Sequence, residues 1–322
     1  MSGVRNFRGI LSVILALLLL LCATACNGER EDGNGLKIVV TIFPEYDWVM
    51  QILGDRTDRA EVTLLLDNGT DVHSYQPSVS DLVTISECDI FIYVGGNTES
   101  WVEDALKNVS NSEMKVICLT DVLSDRVVED DHEGAEDHDH DHEKVIDEHI
   151  WLSLRNAQIC CEYIADQIAA CDPENADEYK ENAANYCNIL SALDTEYGTA
   201  VDCAKFNALI FADRFPFRYL VDDYSIEYFA AFSGCSTETD ASFETVAFLV
   251  DKLNETGVGG LIVIDGSDKK LANTVKANST REGIEIYTLD SMQSVTASDI
   301  KSGTTYLSVM KENLDTLKKA LN

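Results

Sequence analysis

The stretch from Glu174 to Val201, ENADEYKENAANYCNILSALDTEYGTAV, decides the architecture. It follows an interruption at Asp172-Pro173, and a helical pattern runs through it with few breaks. At 1.5 Å per residue a helix of that length extends about 40 Å. Toward the N-terminus, strand patterns at Leu36–Ile42, Ala60–Leu66, Ile90–Val94 and Lys115–Leu119 alternate with helical ones at Glu45–Leu53, Asp81–Ser86 and Trp101–Lys107, and helix returns from Asn156. Toward the C-terminus the alternation restarts. Strands are predicted at Ala208–Phe211, Ile226–Phe232, Leu261–Ile264 and Ile284–Leu289, and helices at Phe217–Asp223, Phe243–Glu255, Lys269–Lys276 and Thr304–Leu321. Alternating strands and helices predict parallel sheets. The fold expected is therefore α/β, with two similar lobes joined by one long rigid linker helix. The lobes span residues 36–173 and 202–322, with the linker at 174–201. Open α/β sheets bind ligands beyond the carboxyl ends of their strands, so residues just after the strands carry the functional question.

The chain begins with basic residues at Arg5 and Arg8, an apolar run from Ile10 to Leu21, and then Ala23-Thr24-Ala25-Cys26. That order reads as a secretory signal over residues 1–25. The apolar run is short for a span, which takes roughly 20 residues to cross about 30 Å of hydrocarbon. Ala23 to Cys26 resembles a bacterial lipobox, which implies acylation of Cys26 and anchoring to the outer face of the cell membrane. Residues 26–35 are polar and glycine-rich, a flexible tether.

A formal net charge of −33 argues against nucleic acid, whose phosphates need Lys and Arg, and suits either a cationic ligand or a solvated surface. Of ten cysteines, Cys22 and Cys26 belong to the leader. The others lie mostly in apolar runs with no C-x-x-C pair, and read as buried free thiols.

Histidine is scarce, with six in the chain. His132, His138, His140 and His142 fall in one tract, 129–148, among eleven acids. Its centre alternates as Asp137-His138-Asp139-His140-Asp141-His142. Imidazole suits zinc, copper and nickel, and interleaved carboxylates concentrate cations, so the tract is expected to recruit metal without a fixed geometry. The remaining two are His73, in Gly69-Thr70-Asp71-Val72-His73-Ser74-Tyr75-Gln76-Pro77-Ser78, and His149, in Asp147-Glu148-His149-Ile150-Trp151-Leu152-Ser153-Leu154-Arg155-Asn156-Ala157.

The first of these segments resembles the G-x-x-x-H-x-Y-x-P-S motif of metal-specific solute-binding proteins of ABC importers, the cluster A-I receptors for zinc and manganese. The second resembles their D-P-H-x-W-L-S-P-x-N-A, with Glu148 and Leu154 in place of the two prolines. Cys171 to Ala176 is similar to the start of the family's linker helix, and Tyr287-Thr288-Leu289-Asp290-Ser291 to its L-D-P strand end. The resemblance runs from about Leu36 to Leu321. It implies a metal cleft between the lobes, His73 and His149 as ligands, Asp290 as a candidate ligand, a monomer, and ABC permease subunits as partners. A His-rich acidic loop before the second motif is a habit of the zinc members.

One departure bears on the ligand set. Zinc members carry a third His, and manganese members a Glu, at a position that register from Tyr219 puts on Arg214. Guanidinium has no acceptor and cannot bind a cation. Asp213 is one residue away and offers oxygen; Arg214 could instead pair with Asp290 or Glu238. A site of His73, His149 and carboxylates suits Zn2+, and also Mn2+, which tolerates more oxygen. The tract favours zinc. The function expected is capture and delivery without chemistry. A metallohydrolase with Glu148 as base, and an adhesion or scaffold lipoprotein, are the rivals from other classes.

Overall fold

A computed structural model describes residues 35–70, 72–128, 146–232, 234 and 241–322. The leader and most of the tether, His132, His138, His140 and His142 of the acidic tract, Cys235 and Glu238 lie outside the described residues.

The first sheet contains β1 (Leu36–Val40), β2 (Ala60–Leu64), β3 (Ile90–Tyr93) and β4 (Lys115–Cys118), in the order β2-β1-β3-β4. The second contains β5 (Ala208–Phe211), β6 (Glu227–Ala230), β7 (Gly260–Ile264) and β8 (Glu285–Leu289), in the order β6-β5-β7-β8. Every pairing is parallel, and the two orders are the same connectivity repeated. Parallel strands need crossover helices, and these supply the apolar cover on both faces. In the first lobe they are α1 (Phe43–Leu53), α2 (Val79–Glu87) and α3 (Trp101–Leu106), followed by a single turn, α4 (Leu119–Val122). In the second they are α7 (Arg218–Asp223), α8 (Phe243–Thr256), α9 (Lys270–Asn278), a short α10 (Ala297–Lys301) and α11 (Tyr306–Ala320).

Between the sheets run α5 (Leu154–Cys171) and α6 (Ala176–Asp202), 27 residues long. The linker helix starts two residues later than its sequence suggests, because Pro173–Asn175 forms a 3-10 turn. Asn182 Nδ2 donates to the Ile52 carbonyl at 3.0 Å and the Tyr186 hydroxyl to Asp47 at 3.2 Å, both in the first lobe. The Tyr197 hydroxyl donates to the Met310 carbonyl of α11 at 2.6 Å. One helix is thus tied to both lobes.

Side chains alternate across each strand with a period of two. Ile38 and Val40 of β1, and Leu209 and Phe211 of β5, turn into one large core shared with Trp48, Ile164, Leu190 and Tyr306. Val39 turns the other way, to Ile85 and Phe91, and Ile210 to Leu249 and Val263. Seven described cysteines are free thiols, and Cys88, Cys160, Cys161 and Cys187 are buried. Burial pushes the Cys88 thiol up to about 12, a small apolar residue in effect. No helix among the described residues is long and apolar enough to cross a membrane.

Candidate metal centre

His73 lies on a 3-10 turn, Val72–Ser74, beyond the carboxyl end of β2. Buried Val72 anchors the turn from below. Asp81, near the start of α2, accepts from both the Tyr75 hydroxyl (2.9 Å) and the Ser78 amide (2.8 Å), while Ser78 caps that helix through the Asp81 amide. The tyrosine and serine after His73 thereby build a fixed exit from the turn. The His73 ring is held by a hydrogen bond between Nδ1 and Thr98 Oγ1 at 3.1 Å.

His149 is almost fully buried, at 3% exposure, and precedes a second 3-10 turn, Ile150–Leu152. Its Nδ1 and its main-chain amide both meet Asp147 Oδ1 at 2.8 Å. A carboxylate only accepts, so Nδ1 carries a proton, and in the neutral imidazole the lone pair is then on Nε2. The second lobe pins this segment. The Tyr219 hydroxyl donates to the Asp147 carbonyl (2.7 Å), Trp151 Nε1 to the Ser291 carbonyl (2.9 Å), and the Tyr306 hydroxyl to the Trp151 carbonyl (2.7 Å). The two imidazoles lie next to each other, with ring centroids 5.7 Å apart and ring planes tilted by 49°. A small cavity is lined by Val72 and Trp151, neighbours of the two histidines in the chain, and by Met292 and Val295 from the second lobe.

Asp290 follows β8 and Asp213 follows β5, both at carboxyl ends of second-lobe strands. Asp290 Oδ1 accepts from the Met292 amide at 2.7 Å. Burial, and then the charge of Asp265, push its carboxyl up to about 6. Asp213 accepts from the Arg214 amide at 2.9 Å and from the Ser267 hydroxyl. Among the described residues no three His, Cys, Asp or Glu converge as a metal group. The structure brings the two histidines together and holds Asp290 and Asp213 in their own loops.

Sequence reading passed over the turn after β3. Thr98 donates its amide to Glu148 Oε1 at 2.8 Å, so Glu148, which replaces a motif proline, has a structural partner. Gly95 donates its amide to Glu99 Oε2 at 2.8 Å. Glu99 and Glu45 are both buried. Glu45 Oε2 accepts from the amides of Thr41 (2.8 Å) and Ile42 (3.2 Å). Burial first, then the charge of Glu99, pushes Glu45 well above the usual carboxylate range, and burial reinforced by the charge of Glu148 pushes Glu99 up to about 7. Gly95-Gly96 at a strand end was the visible signal for this turn.

Two parallel-sheet α/β lobes on a shared long helix, with paired histidines carried at 3-10 turns of the first lobe, define the two-lobed ZnuA-like class of metal-binding proteins. The fold matches a solved structure of the Zn(II)-bound ZnuA-like domain of Streptococcus pneumoniae AdcA with a TM-score of 0.70 and 29% identity, covering 89% of this chain and 99% of that one. The chain belongs to the ZnuA family, zinc-uptake complex component A periplasmic, which matches residues 38–320. It is 31% identical over 310 residues to the zinc-binding lipoprotein AdcA of Streptococcus pneumoniae, covering 96% of this chain and 60% of that protein. It therefore spans about 60% of that relative's length. It is 28% identical over 318 residues to the high-affinity zinc uptake system protein ZnuA of Bacillus subtilis, covering 97% of each. The expected family and the expected pair of parallel lobes are both met.

Proposed function

We propose that this chain is an extracytoplasmic receptor that captures zinc with high affinity and hands it to the permease subunits of an ABC importer. The observation that carries the reading is the adjacent pair His73 and His149, with Nδ1 of His149 anchored on Asp147. An imidazole fixed through one nitrogen presents the other as a ligand. Asp290 and Asp213 supply oxygen from the second lobe. A buried carboxyl whose ionisation is disfavoured, as at Asp290, gains from a divalent cation that offsets its charge. Asp213 keeps lone pairs beyond its two hydrogen bonds. The set is two nitrogens and two oxygens, which suits four-coordinate zinc.

His132, His138, His140 and His142 recruit the cation and release it to this site. The protein acts as a monomer, cleaved after residue 25 and acylated at Cys26, with residues 26–35 as tether, lobes at 36–173 and 202–322, and the linker at 174–201. It turns nothing over. The AdcA and ZnuA relatives are named for zinc, which supports that metal. Manganese is the second reading, favoured by the two carboxylates and by Arg214 where a third histidine would stand.

The test is competitive zinc and manganese binding to the mature chain lacking residues 129–146, repeated with His149→Ala. One tight zinc site lost with His149 is the expected result. Tight manganese with weak zinc would change the metal, and no tight site for either would end the receptor reading.

A further inference from the structure

The turn that follows β3 touches both halves of the candidate site, and one residue in it makes both contacts. Thr98 is half-buried between the two histidine segments. Its hydroxyl meets His73 Nδ1 at 3.1 Å. Its amide donates at 2.8 Å to Oε1 of Glu148, the residue before His149. The turn itself is held from beneath, where the Gly95 amide donates to buried Glu99. Gly96 carries a φ of +83°, and a Cβ there would lie 2.5–2.7 Å from the Glu148 side chain, so the Gly96 backbone packs directly against that side chain.

We propose that Thr98 is a positioning residue of the metal site: its hydroxyl accepts from His73 Nδ1 and so presents Nε2 to the cation, while its amide, through Glu148, sets the place of His149. This rests on the reading of His73 and His149 as ligands. The reasoning is chemical. A metal-bound imidazole must lose the proton on its ligating nitrogen and keep the other, and the partner of that second nitrogen decides which tautomer the free protein holds. Asp147 does this for His149 with a charged acceptor. Thr98 does it for His73 with a neutral one. The neutral partner leaves His73 less electron-rich than His149, so the two ligands are not equivalent. Because the amide and the hydroxyl belong to one residue, the spacing of the two rings is set across a single rigid unit.

The experiment compares Thr98→Val, which keeps the shape and removes the hydroxyl, with Thr98→Ser, which keeps the hydroxyl, in the mature chain. Zinc affinity is read by competition with a chelator, and the His73 tautomer by imidazole 15N shifts of the zinc-free protein. The expected result is a loss of about 10–100-fold for the Val variant, the usual effect of removing such a partner, with the Ser variant close to the parent. The Val variant should also show His73 moved toward the tautomer protonated at Nε2. Unchanged affinity in Thr98→Val, or an equal loss in Thr98→Ser, overturns the proposal. His73→Ala separates the two readings. If it abolishes tight zinc binding while Thr98→Val does not, the positioning role alone falls; if His73→Ala binds zinc like the parent, the metal-site reading falls with it.

Discussion

Asp147 Oδ1 accepts from both the main-chain amide and the Nδ1 of His149, each at 2.8 Å. One oxygen thus fixes the backbone and the ring of the same residue. Two further contacts from the second lobe, Tyr219 to the Asp147 carbonyl and Tyr306 to the Trp151 carbonyl, leave this segment little freedom. Replacing Asp147 by Ala should weaken zinc binding by about 10–100-fold, the range for losing such a partner of a ligating His. It should also lower stability by about 1–3 kcal/mol, since a buried amide and a buried ring N–H lose their acceptor. Asp147→Asn keeps an acceptor and should lose less on both counts. Chelator competition and denaturant unfolding check the two effects separately.

Gly96→Ala tests the close approach at the turn after β3. The position has a φ of +83°, and a Cβ added there would fall 2.5–2.7 Å from the Glu148 side chain, so a methyl group meets both backbone strain and a steric clash. A loss of about 1–3 kcal/mol is expected from such a conformation. The displaced Glu148 precedes His149, so zinc affinity should fall as well. Stability lost with affinity unchanged would uncouple the turn from the site.

Much of this was readable in the sequence, for local reasons. The strands and long helices carry their own periodicity, and His73 and His149 stand among Tyr, Pro, Trp and Ser whose roles as turn locks and caps are local. Ser78 and Ser153 each cap the helix that follows them. Leu154 opens α5 at the first helical position, where proline is also tolerated, so that departure leaves the element intact. What could not be read is long-range. Thr98 reaches His73 across 25 residues and Glu148 across 50, and no spacing rule announces either contact. The helices Leu119–Val122 and Ala297–Lys301 are too short to show a period, although Thr296 and Asp299 form a capping box that marks the second. The place of Asp290 and Asp213 at strand ends followed from topology, whereas their hydrogen bonds to Met292 and Ser267 did not.

Glu99 gives the fold a pH dependence with a definite sign. Burial raises its carboxyl from the ordinary 4.5 to about 7, with Thr41 and the Gly95 amide opposing and the Glu148 charge reinforcing the rise; Glu45 is pushed up beside it. Between these two values the folded protein holds a proton that the unfolded chain has released. Stability from this group is therefore complete below about pH 4.5 and declines as pH rises through 7. Glu99→Gln, which cannot ionise, should flatten the fall in unfolding free energy between pH 5 and pH 8. Parallel pH profiles for parent and variant would show that Glu99 is ionised throughout.

The acidic tract can be removed without loosening its base. The Asp147 amide donates to the Val128 carbonyl at 2.9 Å, and the Tyr219 hydroxyl accepts from the Val128 amide (3.1 Å) while donating to the Asp147 carbonyl (2.7 Å). The two ends of the tract are therefore already joined, and a bridge of two glycines in place of residues 129–145 spans them. Shortening a loop lowers its closure cost by about 0.6 kcal/mol for each halving of its length, and this change is about three halvings, so the zinc-free protein should be as stable as the parent or more stable by up to about 2 kcal/mol. The tight site should remain, because His73, His149 and Asp147 lie outside the deletion. Recruitment should suffer instead, seen as slower zinc uptake at low free metal and fewer weakly bound ions per chain. Loss of the tight site on deletion would place at least one ligand in the tract, and the paired imidazoles would then be only part of the centre.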